Sequence, residues 1–233
     1  MPDFGLHVHG PDGSLLIGNG WQNLFYVGKP SYWTTYSDGF GHAQHAYLAT
    51  QFTDPGNPPV PFYNLPTGTA EMFARLYWNT AYNQWCVTFY GASGMPNPNV
   101  YLFKRSGLMQ QSTDLYGLRV YHSDGNLVYD SGFAGKDLQV KGLSIIPNVV
   151  SGASAPIPSG TVKPAVLFKN QYFRAVAGYN WGIYGLATRF DAGAITLVEI
   201  NTWVLSGSRY RNAYQTDNPP NMPMVFIDGA HYD

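Results

Sequence analysis

A fourteen-residue segment occurs twice in this chain, 112 residues apart and without a gap. Phe4-Gly5-Leu6-His7-Val8-His9-Gly10-Pro11-Asp12-Gly13-Ser14-Leu15-Leu16-Ile17 returns as Tyr116-Gly117-Leu118-Arg119-Val120-Tyr121-His122-Ser123-Asp124-Gly125-Asn126-Leu127-Val128-Tyr129. The identities fall on Gly, Leu, Val, Asp, Gly and Leu, the residues that set backbone shape. Leu6 and Val8 alternate with His7 and His9, and Leu118 and Val120 alternate with Arg119 and Tyr121, the period of a strand. Asp12-Gly13 and Asp124-Gly125 are hairpin turns in which Gly supplies the positive φ. Each copy is therefore expected to be a β-hairpin. A lone hairpin is marginal in water, so each needs further strands.

Those strands are readable. In the first half, residues 24–27, 45–52, 70–78, 84–90 and 100–104 have strand character. In the second half, 138–145, 165–169, 173–179, 184–190, 194–205 and 224–227 do. Gly, Pro, Asn and Asp lie between them. The expected fold class is all-β, with two tandem, duplicated β-sandwich domains. The expected boundaries are 1–110 and 111–233, joined by the polar stretch 106–114. Two segments read as long loops: 54–66, with five prolines, and 152–160, rich in Ser, Ala and Pro. Loops of that length in a compact domain are often functional, and crossing from sheet to sheet explains them equally well.

Composition agrees with sheets and narrows the chemistry. Glu71 and Glu199 are the two glutamates among 14 acidic residues, and 26 Gly, 17 Pro, 18 Tyr and 13 Phe accompany them. Solvated helix faces need Glu and Lys, so few amphipathic helices are expected. Charged residues make up 12% of the chain, roughly half the usual share. Such a surface suits a protein covered by neighbours, because interface cores lose charge and gain aromatics. The net charge of −1 and the lack of a basic stripe argue against a nucleic-acid partner. No run approaches the apolar length of a membrane helix. The start, Met1-Pro2-Asp3-Phe4, has no basic segment followed by an apolar one, so no secretory signal is expected. Cys86 has no second cysteine to pair with and is expected in the core.

No residue set stands out as catalytic, and no cofactor is expected. His7 with His9, and His42 with His45, have spacings found in metal sites. The second copy has Arg119 and Tyr121 where the first has His7 and His9, so the repeat does not preserve a metal site. Glycosidases need two carboxyls about 5–10 Å apart. Asp12, Asp38, Asp54, Asp124, Asp217 and Asp228 are better explained as turn residues. Ser93, in Gly91-Ala92-Ser93-Gly94, lacks the spacing of a nucleophile elbow. What remains is aromatic. Tyr32, Trp33, Tyr36, Tyr82, Tyr179 and Trp181 sit where loops are expected, and planar rings with polar tips serve protein interfaces and sugars alike.

Tyr116-Gly117-Leu118-Arg119-Val120-Tyr121, followed by Asp124-Gly125-Asn126-Leu127-Val128-Tyr129-Asp130-Ser131-Gly132, resembles a hairpin found in small β-sandwich proteins of the bacteriophage tail tip and baseplate. The resemblance covers about seventeen residues of each copy. The first copy departs from it, with Gly18-Asn19 in place of Asp130-Ser131. It implies a virion structural protein of tail tip, baseplate or fibre, present in several copies, that contacts other tail proteins and a host surface polysaccharide or pilus. It brings no catalytic residues. A receptor- or carbohydrate-binding module is the alternative expectation, and a polysaccharide depolymerase the third.

Overall fold

A computed structural model describes residues 7–9, 15–18, 23–37, 42–92, 96–114, 116–122, 124–133, 136–147, 149–167, 173–176, 181–205 and 221–233. The chain is all-β. Its strands are β1 (His7–His9), β2 (Leu15–Gly18), β3 (Leu24–Gly28), β4 (Ser31–Ser37), β5 (His42–Ala49), β6 (Val60–Asn64), β7 (Ala70–Asn79), β8 (Gln84–Ala92), β9 (Asn99–Arg105), β10 (Arg119–Tyr121), β11 (Leu127–Asp130), β12 (Val140–Pro147), β13 (Ser154–Pro156), β14 (Pro164–Leu167), β15 (Phe173–Val176), β16 (Trp181–Asp191), β17 (Ala194–Leu205) and β18 (Asn221–Asp228). Helical turns among the described residues are 3-10 turns of three residues.

The repeated hairpin is present, and its two copies match in register. His7 faces Gly18, Val8 faces Ile17 and His9 faces Leu15. Arg119 faces Asp130, Val120 faces Tyr129 and Tyr121 faces Leu127, so each pair is the first set moved by 112 residues. A bulge interrupts both at the same place. Gly125 has φ +85°, the left-handed turn conformation that the Asp-Gly pair predicts. The hairpins form two separate small sheets, and β2 touches β11.

The remaining strands make two larger sheets, a six-stranded one ordered β12-β18-β14-β6-β9-β3 and an eight-stranded one ordered β13-β17-β16-β7-β8-β5-β4, with β15 also paired to β16. Tandem sandwiches split at residue 110 are not shown: both sheets take strands from both halves. β6 pairs with β14, and β7 with β16. Within this mixture the halves match. From one end the first sheet reads β3-β9-β6, and from the other β12-β18-β14. The second contains β5-β8-β7 and β13-β17-β16 in the same way.

Period-two alternation gives the six-stranded sheet two apolar faces. Val100 and Leu102 face one side of β9, with Tyr63, Val166 and Phe226 of its neighbours. They meet Val87, Phe89, Leu186 and Phe190 of the other sheet in the sandwich core. Across it, Tyr63 packs tilted against Phe89 and edge-on to Phe190, at centroid distances of 5.3 and 5.7 Å. Tyr101, Phe103, Phe62, Ala165 and Ile227 face the opposite side and form a second core.

That second core lies inside a barrel. Phe25 of β3 forms an antiparallel bridge with Asp137. Tyr26 N donates to Lys136 O at 2.6 Å, and Leu138 N donates to Leu24 O at 2.7 Å. Asp137 lies three residues before β12, a reach of at most about 11 Å. A flat sheet would hold β3 and β12 about 24 Å apart, five strand spacings. The six strands therefore curl round until their ends meet.

Tyr232 fastens this seam. It is buried, and its ring packs on Tyr26 and Phe103 at 5.1 Å. Its hydroxyl donates to Asp137 O and accepts from Gln139 N, both at 2.8 Å. Tyr232→Ala is expected to destabilise the protein by about 3–5 kcal/mol, the usual cost of emptying a buried aromatic site. Tyr232→Phe is expected to cost about 0.5–1.5 kcal/mol, the usual net contribution of a hydrogen bond, because the part-buried bonds to Asp137 O and Gln139 N are lost. Urea unfolding of both variants measures the two terms separately.

Candidate functional site

Gly28 and Pro30 turn the chain out of the barrel and into the other sheet. Gly28 has φ +126°, and a Cβ there would lie 3.1 Å from the Gln51 side chain. β4 then runs along the end of the eight-stranded sheet, paired with β5. Among the described residues nothing pairs with its outer edge. Residues 31–35 are all exposed.

Three of the aromatic residues picked from the sequence meet at or beside this edge. Tyr32 is 51% exposed, Trp33 36% and Tyr82 49%. Tyr32 faces Tyr47 and Thr34 faces Ala46, so Trp33 is the extra residue of a bulge. The bulge changes which side chains share a face. Tyr32 and Thr35 would otherwise point to opposite sides, yet their hydroxyls lie 2.5 Å apart. Trp33 meets Tyr82 at 5.2 Å between centroids and 68° between planes, within the range for attractive edge-to-face contact.

Tyr82 sits on the β7–β8 turn. Asn79 shapes that turn by accepting from Ala81 N at 3.0 Å, and Asn83 completes it at φ +50°. Under the turn, Trp78 and Trp85 lie 5.9 Å apart. Trp85 Nε1 donates to Asp54 O at 2.9 Å. Asp54 accepts from Gly56 N, and this bond with the Asn57 amide holds its carboxyl below the ordinary range. From Tyr32 a line of edge-on rings leads inward through Tyr47 to Phe89. The exposed rings thus stand on a rigid base. Of the other aromatic candidates, Tyr36 lies in β4 and Trp181 begins β16, with side chains outside the description, and Tyr179 lies outside the described residues.

Two charged clusters were not evident in the sequence. Asp130 is 2% exposed. It accepts from Ser112 N, Ser112 Oγ and Gly132 N at 2.9 Å, and from Arg119 Nε at 3.1 Å. Burial would raise its pKa, but these bonds outweigh burial and hold it at about 2. Arg119 also donates to Ser112 O and Asp114 O, so the pair ties the connecting stretch to the second hairpin. The first copy has His7 and Gly18 in these places. The second cluster is Asp233 with Lys29 at 2.8 Å and Lys163 at 2.6 Å, beside the Tyr101 hydroxyl at 3.2 Å. Burial opposes ionisation there too, and the two lysines bring Asp233 to about 2. Both clusters are internally satisfied and serve the fold.

Of the aspartates read as turn residues, the described ones, Asp54, Asp124 and Asp228, do bond to nearby backbone as expected. Asp124 accepts from Asn126 N, and Asp228 from Val162, Lys163 and Ala230 N. Asp12, Asp38 and Asp217 lie outside the described residues. Cys86 is buried on β8. His45 is buried beside the sandwich core, and burial lowers its pKa. The side chains of His7, His9 and His42 lie outside the description. Among the described residues no three His, Cys, Asp or Glu side chains are grouped as a metal site, and no helix is long and apolar enough to cross a membrane.

No protein-family model matches the chain, and no curated protein or solved structure matches it.

Trp33→Ala and Tyr82→Ala are each expected to leave the fold intact, and a double-mutant cycle should return a coupling of about 0.5–1.5 kcal/mol. Asp130 contributes stability that is present above the ordinary carboxylate pKa of 3.8 and is lost as pH falls towards about 2. Asp130→Asn is therefore expected to lower the urea midpoint at neutral pH and to flatten its fall in acid. A parallel acid slope in variant and wild type would contradict this assignment.

Proposed function

We propose that this chain is a structural, non-catalytic component of a bacteriophage tail, at the tip, baseplate or fibre, acting in assembly or host attachment. The observation that carries the reading is the repeated hairpin, whose second copy resembles that of small tail proteins and whose two copies share one register and one bulge. The exposed, uncharged aromatic edge around Tyr32, Trp33 and Tyr82 supports it. A sheet that offers large apolar rings and open backbone groups is suited to being covered by neighbouring proteins. On this reading the protein works in the virion, in several copies, against other tail proteins.

A second reading has one observation of its own. Trp33 and Tyr82 stand together, exposed and rigidly supported, as sugar-stacking rings do. On this reading the ligand is a host surface polysaccharide or pilus.

Quantitative mass spectrometry of purified particles is expected to find the protein at fixed stoichiometry with known tail components. Particles that lack it would sink the tail reading. Binding of the purified protein to host cells, lost on Trp33→Ala, is the outcome expected of the second reading; unchanged binding would exclude Trp33 as the contact.

A further inference from the structure

We propose that β4 is the strand through which two copies of this chain associate, antiparallel and edge to edge, across a twofold axis. This inference does not depend on the tail reading. It starts from the sequence of the strand, Ser31-Tyr32-Trp33-Thr34-Thr35-Tyr36-Ser37. A terminal strand that must stay single ordinarily carries a lysine, a proline or an inward-pointing charge, because its free N–H and C=O groups form a template for another strand. β4 has none of these within its length. It has one edge device, the bulge at Trp33, which confines regular pairing to residues 34–37.

The occupant follows from those four residues. In a twofold pair every residue meets its own kind or a near neighbour, so any charge would be brought close to its copy. Thr34-Thr35-Tyr36-Ser37 is uncharged. With the axis through Thr35, Thr35 stands opposite Thr35 and Thr34 opposite Tyr36 of the second copy, so that opposed residues lie on the same face of the joined sheet. Hydroxyl–hydroxyl and β-branched–aromatic combinations are both favourable cross-strand pairs. Thr34 and Thr35 are exposed, so the side chains at the start of this stretch are open to a second strand. Tyr32 and Trp33, at the end of the pairing segment, add apolar area to a short backbone contact. An interface of this size is at the small end of specific association, so the dimer is reversible and joins two eight-stranded sheets into one.

The test uses the full chain in sedimentation-velocity runs over a wide concentration range. Wild type is expected to pass from monomer to dimer. Thr35→Lys and Thr35→Glu, each on an exposed residue, are expected to raise the dissociation constant at least about tenfold. An equimolar mixture of the two is expected to regain dimer, because lysine then lies beside glutamate. Circular dichroism and urea midpoints check that each variant is folded. A wild type that stays monomeric throughout, variants that dimerise as well as wild type, or a mixture that fails to recover would each overturn the proposal.

Discussion

The closure of the six-stranded sheet on itself is the constraint on which the rest of the structure depends. A sheet with aromatic residues on both faces has to cover both. Tyr63, Leu102 and Phe226 are covered by the second sheet. Among the described residues no second sheet covers Tyr101, Phe103 and Ile227, and curling the strands into a barrel removes them from water. Each large apolar side chain buried in this way contributes about 1.5–3 kcal/mol, whereas the seam itself is short, centred on one bridge between Phe25 and Asp137. The burial holds the seam closed, and Tyr232 converts it to a fixed register by bonding to both sides of residue 138.

Closure also explains why the halves interleave. Each half supplies three strands to the barrel in the same order, and three strands cannot close a barrel about an aromatic core. Pairing β6 with β14 on one side, and β3 with the approach to β12 on the other, completes the ring. Phe25 and Asp137, which face each other at the seam, are separated by the same 112 residues as the repeated hairpins. Among the described residues the eight-stranded sheet does not close, and there the halves differ: β4 lies beyond β5, and no corresponding described strand lies beyond β13. The exposed aromatic edge arises at this asymmetry.

Most strands were legible because their period-two alternation and flanking turn residues are local signals. β7, β8 and β17 lie close to their expected bounds, and strands of both hairpins fall within the repeated segments or one residue past them. β4, β6 and β13 were not. Val60-Pro61-Phe62-Tyr63-Asn64 sits in a segment with five prolines, which reads as a loop, yet it pairs on both sides as β6. Pro61 faces Leu102 of β9, and the described pairing to β14 begins one residue later, so the missing N–H leaves no described rung of that ladder incomplete. β13 is three residues in a Ser-, Ala- and Pro-rich stretch and is defined by its pairing with β17. The interleaving was invisible for a related reason. Sequence reveals that a unit recurs, but whether two units stand apart or share a barrel depends on contacts between residues a hundred positions apart. At the site, Tyr82 lies on a turn as expected, whereas Tyr32 and Trp33, expected on a loop, lie on the edge strand β4 and are exposed there. The bulge that brings Trp33 to Tyr82 depends on register with β5 and has no local signature.

The two hairpins show how one shape can be held by different chemistry. Their registers and bulges agree, but Arg119 and Asp130 face each other where the first copy has His7 and Gly18. Asp130 is nearly inaccessible to water, and a carboxylate so placed is tolerated only with its bonds complete. It obtains them from Ser112 just before its hairpin, Arg119 within it and Gly132 just after it. Gly132 is needed for this, since a Cβ there would fall 2.1 Å from Ser112 Oγ. The second hairpin is thereby fastened to the stretch that joins the two halves, the one position in the chain where such a fastening also sets where the second half begins. The first copy has Gly18 at the position of Asp130. The charge in the second copy thus answers to its place in the chain, while the shared backbone geometry answers to the turn.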